Sequence, residues 1–486
     1  MRPLAVLWFA LSASMAPVVS AGPEAGPAAR DAAMAGPGAA VVAPGASSRQ
    51  TAAESSETPP APAERETLRI ESLEIEGSSR TRSDILRRYW PLEEGRTASV
   101  DEIGHAVAEL RASPLFDEVR YSLRAGSERG AVQLRLSVRE RGPRLSFGAG
   151  YHDLSGWYLI PAELGLDNLG GLGQELRAGA RIGYRVAGMY LRYEEPRFLG
   201  RELSWGFRFY GDGTQRVYFL DGVEYEHRVE RGGYELHLTR TPLDGWGYRL
   251  AHALEQSDAR DYAIAREDDP ERRLERGDRL DAEDLPEDVR EGIGREHAAR
   301  FRAEILRDTR RGGGLREGGL WGVVGAEASV RGRGSFARGF ADARLYVPIA
   351  RGVQAAARAQ AAAVGEDAPF YDRYYLGGLY TVRGFPSQSL SPAGGDTRLA
   401  AASVELRIRL HGRSERPSIA AVLFADVGEA WSGESPSLRD VSAGAGYGLR
   451  IKLPWVGYAG IDAGIPLTES PMNESFHLYG TIGWTY

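Results

Sequence analysis

Tyr374-Tyr375-Leu376-Gly377-Gly378-Leu379-Tyr380-Thr381-Val382-Arg383-Gly384-Phe385 lies in a long loop, roughly 365–396, between two segments in which apolar and polar residues alternate. Its glycines let the backbone take turns that other residues resist. Arg383 stands between Val382 and Gly384-Phe385, an apolar setting for a charge. A loop folded into a cavity, with Arg383 docked on a carboxylate, accounts for that setting. Asp426, in Phe424-Ala425-Asp426-Val427-Gly428, is one candidate partner, and Glu405, in Val404-Glu405-Leu406-Arg407, is a second. The plain alternative is an arginine in a solvated loop, with unrelated carboxylates downstream.

The segments flanking this loop are part of a longer array. From Arg144 onward the apolar pattern has a period of two, and sixteen strands can be counted, from 144–151 to 475–486, with 201–211 and 231–241 as the fifth and sixth. Such alternation is the mark of strands with two unlike faces. The segment after the loop shows it best. Ala400, Ala402, Val404, Leu406, Ile408 and Leu410 share one face, while Ala401, Ser403, Glu405, Arg407 and Arg409 share the other. In the next segment Ile419, Ala421, Leu423, Ala425 and Val427 point one way and Asp426 the other. Charges on one face of strand after strand, with no helices between, suit a transmembrane barrel with a watery lumen. A soluble sandwich gives a similar alternation.

Composition bounds the alternatives. The chain has 486 residues, more than one ordinary domain needs, with 61 glycines, 22 tyrosines and 9 tryptophans. It has no cysteine, so disulfides and thiolate metal sites are excluded. A formal net charge of −7 argues against a nucleic-acid partner. Mean hydropathy is −0.35, and beyond the first 21 residues no apolar run reaches the length of a membrane helix, about 20 residues. Membrane-spanning strands remain allowed, because their lipid-facing and lumen-facing residues average out as polar.

Residues 1–21 read as a secretory signal, with Arg2 as the charge, Leu4 to Ala10 as the apolar core and Val19-Ser20-Ala21 as the cleavage site. Residues 22–65, rich in Ala, Pro and Gly, read as a disordered linker that cannot bury enough surface to offset its chain entropy. Residues 66–141 read as a small α/β domain. Leu68, Ile70, Leu73 and Ile75 open it as a strand ending at Gly77, and Ser83 is placed to cap a helix over Asp84–Trp90. Ile103, Val107 and Leu110 have helical spacing, and two strands follow, the last with Val132, Leu134, Leu136 and Val138 alternating. Residues 142–486 are then the barrel. The charged stretch at about 257–295 reads as a hydrated surface loop.

Gly377-Gly378, Val382-Arg383-Gly384-Phe385, the inward Glu405 and the Phe-x-Asp-x-Gly around Asp426 come in an order and spacing that resemble the BamA/TamA family of outer-membrane assembly and translocation barrels. Residues 66–141 resemble a POTRA domain, in the glycine after the first strand, the Leu115-Phe116-Asp117-Glu118-Val119 step and the closing Val138-Arg139-Glu140. One such unit is present, where the best-studied bacterial relatives carry several. The final strand, with Phe476, Leu478, Ile482, Trp484 and Tyr486 set to face one way, resembles the insertion signal of bacterial outer-membrane proteins.

The resemblance implies a mainly β fold: a 16-stranded antiparallel transmembrane β-barrel preceded by one POTRA domain, in the bacterial outer membrane with that domain in the periplasm. It implies outer-membrane lipid, client polypeptides and periplasmic chaperones as partners, and a role in protein insertion, assembly or translocation. A two-partner-secretion pore for a dedicated substrate and a structural surface-antigen barrel are the alternatives. No Gly-x-Ser-x-Gly elbow, phosphate loop or His-Glu-x-x-His is present, and the eight histidines lack ligand spacing, so no enzyme activity, cofactor or metal is expected.

Overall fold

A computed structural model describes residues 67–486, except 153–155, 184, 199–202, 241–244, 270–273, 434–435, 437–439, 455–456 and 472–474. The expected signal and the linker lie outside the described residues. The chain divides into two compact units, the first ending at Arg141 and the second beginning at Gly142.

The first unit runs β1 (Thr67–Glu76), α1 (Ser83–Tyr89), β2 (Thr97–Ser99), α2 (Val100–Ala112), β3 (Phe116–Ala125) and β4 (Ala131–Glu140). Its sheet has the order β2-β1-β4-β3, with β1 and β4 parallel. The helical stripe Ile103, Val107 and Leu110 packs on Ile70, Leu134 and Leu136 to form a closed apolar core. The short β2 escaped the sequence pattern because three residues carry no period. Ser83 does not cap α1; it is the first helical residue, and the cap position, Arg82, makes no side-chain capping bond. The capping chemistry belongs to α2 instead. The Ser99 hydroxyl accepts from Glu102 N while Glu102 accepts from Ser99 N, a reciprocal pair that satisfies two otherwise unpaired helix donors. Gly77 is required after β1: its φ is +90°, and a Cβ there would overlap the Val138 carbonyl.

Glu140 organises the turn between β1 and α1. Its carboxylate accepts from Arg80 N at 2.9 Å, Thr81 N at 2.6 Å and Thr81 Oγ1 at 2.7 Å. Burial opposes its ionisation, but these hydrogen bonds outweigh burial and hold its pKa below the ordinary value of 4.5. A depressed carboxyl pKa adds stability above the unfolded value, and that increment is lost as pH falls through the folded value. Glu140→Gln should therefore destabilise this unit by about 1 kcal/mol at neutral pH, and by less as the medium is acidified. Urea melts of the expressed unit from about pH 6 to about pH 3 would measure it; a difference that does not shrink in acid would exclude this account.

The second unit is one large antiparallel sheet in which successive strands pair. They are β5 (Arg144–His152), β6 (Gly156–Leu169), β7 (Gln174–Gly183), β8 (Val186–Glu195), β9 (Leu203–Leu220), β10 (Val223–Arg240) and β11 (Trp246–Ala265). The short β12 (Arg279–Asp281) and one-turn α3 (Glu287–Arg290) intervene, and β13 (Gly294–Asp308) pairs directly with β11. Then come β14 (Gly319–Arg331), β15 (Gly334–Ala350), β16 (Val353–Val364), β17 (Arg398–Arg413), β18 (Arg416–Trp431), β19 (Ser442–Leu453), β20 (Gly457–Pro466) and β21 (His477–Ile482).

The faces are inverted relative to a soluble protein. Leu250, Phe301, Ile305, Val324, Val404, Leu423 and Ile461 are exposed on the outside, whereas Arg231, Arg300, Glu327, Asp342, Glu405, Asp426 and Arg450 are buried on the inside. No helix among the described residues is long and apolar enough to cross a membrane.

Two expectations change. The segments 201–211 and 231–241 belong to much longer strands, Leu203–Leu220 and Val223–Arg240, joined by a tight turn at Asp221–Gly222 with φ of 51° and 87°. Beyond a bilayer both faces of a strand meet water or loops, so the apolar period fades while pairing continues. The 257–295 stretch is not simply a hydrated loop. β11 runs on to Ala265, β12 pairs with it, and Leu285 and Val289 join Tyr218, Val229, Ala263, Phe370 and Tyr371 in an apolar cluster.

Candidate functional site in the interior of the sheet

The 365–397 loop folds inward. Val382 and Phe385 are fully buried with Phe336, Val364, Leu376 and Leu399, which fixes the backbone on both sides of Arg383. Gly377 and Gly378 have φ of 100° and 105°, and Gly378 N donates to Val382 O at 3.1 Å, closing the turn that presents the arginine. Gly384, at φ 112°, lies against the main chain of Ile465, whose carbonyl carbon would be 2.9 Å from an added Cβ. Tyr479 pins the same point, accepting from Gly384 N at 2.9 Å and donating to Phe385 O at 2.6 Å.

Arg383 itself is 1% exposed. Its Nε lies 2.7 Å from Asp426 Oδ2 and its Nη2 2.8 Å from Oδ1, the two-bond fork that planar guanidinium and carboxylate favour. Its own main-chain N also donates to Asp426, at 3.0 Å. Nη1 donates to Glu405 at 2.8 Å and to Asp462 at 3.2 Å, and Nη2 to Ser403 Oγ at 3.1 Å. The guanidinium lies 3.6 Å from the centroid of the Phe424 ring, within cation–π range. Both sequence candidates, Asp426 and Glu405, are thus brought to Arg383.

Asp462 and Phe424 were not singled out from the sequence as partners. The available signal for Asp462 was its place on the polar face of β20. That for Phe424 was its parity with Asp426, two residues apart on one strand.

Charge balances within the cluster. Arg407 donates to Glu405 at 2.9 Å, and Arg450 donates to both oxygens of Asp462, so three guanidiniums face three carboxylates. Glu405 and Asp462 each have a second arginine. Among the described residues Asp426 forms its salt bridge with Arg383 alone.

The C-terminal residues behave differently from expectation. Phe476 and Leu478 are exposed on the outer side, but Tyr486 is buried, so Phe476, Leu478, Ile482, Trp484 and Tyr486 do not share one face. The alternation stops at Gly483, whose φ of 87° takes the chain out of β21. Beyond it Arg407 donates to the Tyr486 carbonyl at 2.7 Å and lies 4.9 Å from the Trp484 ring, while Arg450 donates to Thr485 Oγ1 at 3.1 Å. The last three residues therefore join the same interior network as the loop.

The sequence of this chain matches known families. Residues 168–486 match the Omp85 superfamily domain. The chain belongs to the Omp85 superfamily. Residues 68–141 match POTRA, the surface antigen variable number repeat. The outer membrane protein assembly factor BamA of Neisseria meningitidis serogroup B is 20% identical over 406 residues, 78% of this chain and 48% of that protein. A protein of Treponema pallidum described as an outer membrane protein assembly factor is 27% identical over 151 residues, 30% of this chain and 18% of that protein. This Omp85 chain thus spans about half or less of the curated relatives it matches.

Among solved structures, BamA from Haemophilus ducreyi lacking POTRA domains 1–3 aligns with a TM-score of 0.60 at 18% identity, covering 85% of this chain and 84% of that one. CdiB from Acinetobacter baumannii aligns with a TM-score of 0.52 at 13% identity, over 85% and 73% of the two chains. These likenesses concern the fold.

Proposed function

We propose that this chain forms a closed sixteen-stranded barrel in the outer membrane, with its POTRA domain in the periplasm, and assists insertion, assembly or translocation of polypeptides there. Strands β5 to β11 and β13 to β21 make sixteen, and the hydrogen-bonded order returns from β21 through β5 to β9 and β10. In this reading residues 1–21 direct export, 22–65 tether the POTRA domain, and the outward Phe476 and Leu478 take part in the insertion signal.

The observation that carries the proposal is the inverted wall with Arg383 clasped inside it. An apolar exterior suits lipid, and every backbone group within a closed barrel is paired. A passive pore needs no loop held by a balanced cluster of six buried charges. A seam between β5 and the six-residue β21 is the natural place for such a wall to open. An opened edge would offer unpaired N–H and C=O groups to a client strand, which could add by β-augmentation. Binding and release of polypeptide account for the role without bond-making chemistry.

Depletion of the protein followed by quantitative outer-membrane proteomics tests this. General assistance predicts that many barrel proteins fall together, by about twofold or more. Loss of a single secreted polypeptide would turn the reading into a dedicated secretion pore. An unchanged proteome, or recovery of the protein in the soluble periplasm without detergent, would remove it.

A further inference from the structure

The inward loop carries a second buried charge, of opposite sign to Arg383. Asp372 closes a short 3-10 turn, Phe370–Asp372, and is 1% exposed. Its Oδ2 accepts from Arg300 Nη2 at 2.8 Å, and its Oδ1 from Arg231 Nη2 at 3.2 Å and Arg338 Nη2 at 3.5 Å. The main chain beside it is held as well. The Asp372 carbonyl accepts from Arg338 Nη2 at 2.7 Å, and the Tyr371 carbonyl from Arg231 Nη2 at 2.9 Å and from Arg216. The Arg231 guanidinium lies 4.7 Å from the Tyr371 ring centroid, and Phe370 packs 5.0 Å from His227.

These four arginines come from β9, β10, β13 and β15. The partners of Arg383 come from β17, β18 and β20. One loop is therefore gripped at two points by two arcs of the wall, with the polarity reversed: a loop anion among wall cations, and a loop cation among wall anions. Each set also holds charges of the other sign, Glu255 and Glu327 on Arg300, and Arg407 and Arg450 on the carboxylates, but the charged groups that touch the loop are guanidiniums at the first grip and carboxylates at the second.

The segment between the two grips contains Gly377 and Gly378, both at positive φ. Glycine backbone has the most conformational freedom to lose. A segment fixed at one end searches far less space for its second contact than a free loop does.

We propose that Asp372 is a positioning residue, which ties the loop to the β10–β15 arc and so presents Arg383 to its carboxylates on β17–β20. Its consequence for transport rests on the reading under Proposed function; its effect on the loop does not.

The chain has no cysteine, so a single reporter can be introduced without background. Leu379, 3% exposed and lying between the two grips, is a suitable site. In the full-length protein carrying Leu379→Cys, in outer-membrane vesicles, the rate of reaction with a water-soluble maleimide reports release of the loop. Asp372→Asn should raise that rate about tenfold or more, because three buried guanidiniums lose their shared carboxylate. Asp372→Glu, which keeps the charge, should restore most of the protection, and a purely volumetric role would not give that rescue.

An unchanged labelling rate in a folded, heat-modifiable Asp372→Asn protein, with a raised rate in Arg383→Ala, would overturn the proposal. Should Asp372→Asn give no folded band, the same measurement on Arg338→Gln decides. A severalfold increase supports the anchor and an unchanged rate removes it. If labelling rises while the outer-membrane proteome stays intact, the anchor stands and its consequence for transport fails, while the assembly reading itself is decided by depletion.

Discussion

Arg383→Ala should lower the temperature at which the folded, heat-modifiable band is lost, and under the proposed function it should also reduce the outer-membrane proteome as depletion does. The cost arises because Asp426 is left buried without its guanidinium, and a buried pair broken on one side loses about 3–5 kcal/mol. Asp426→Ala should do nearly as much damage, because it removes both bonds of the fork and the acceptor of the Arg383 main-chain N–H. The double mutant should be little worse than either single one, since the two side chains share one interaction. Glu405→Ala and Asp462→Ala should each cost more than the loss of one contact to Arg383, because Arg407 or Arg450 then loses its own carboxylate. Arg383→Lys keeps the charge but loses the fork and the planar stacking on Phe424, so it should fall between the wild type and Arg383→Ala. A double-mutant cycle on the heat-modifiability midpoint reads all of this. Fully additive Arg383 and Asp426 effects would show that the contact contributes nothing to stability.

Gly444→Ala should produce a comparable loss without altering any charge. Gly444 lies on β19, and a Cβ built there would overlap the Arg383 carbonyl oxygen; at Gly464, on β20, it would lie 2.5 Å from Gly384 N. The loop main chain thus rests directly on a bare stretch of wall. Backbone atoms on both sides leave no flexible side chain to give way, so one methyl must displace the loop or distort the strand. The expected cost is about 2–3 kcal/mol, the upper range for overpacking. Trypsin digestion of intact outer membranes provides the readout: the loop in Gly444→Ala should be cut at Arg383 or Arg373, while the wild-type loop is protected. Protection equal to wild type would show that the wall can relax around the methyl group and that Gly444 is not needed as a seat. Gly480→Ala is the matched control, because open space surrounds a Cβ at that position.

Much of the architecture follows from local pattern. The period of two along β17 and β18 assigns Glu405 and Asp426 to the interior and Val404, Leu423 and Val427 to the exterior, because side-chain direction along a strand depends only on parity. The spacing of Ile103, Val107 and Leu110 likewise assigns a buried helical stripe in the POTRA unit. Gly377 and Gly378 marked a loop in which only glycine is comfortable, and the apolar neighbours of Arg383 marked that arginine as one destined for burial. These properties belong to single strands, helices or loops, so the order of residues determines them.

What tertiary structure decided is the company each buried group keeps. Parity places Asp462 inside but does not say that β20 brings it beside Arg383. Nothing local in Asp372 distinguishes it from a solvated loop aspartate until β10, β13 and β15 bring Arg231, Arg300 and Arg338 around it. The last residues show the same limit from the other side. Trp484 and Tyr486 continue the outward alternation on paper, yet Gly483 turns them inward, where Arg407 and Arg450 hold them. The inner surface of the wall and the positive φ at Gly483 are properties of the assembled sheet. A carboxylate or aromatic ring is bound by whichever opposite charge the strand register places within about 3 Å, and register is set by pairing between segments far apart in the chain.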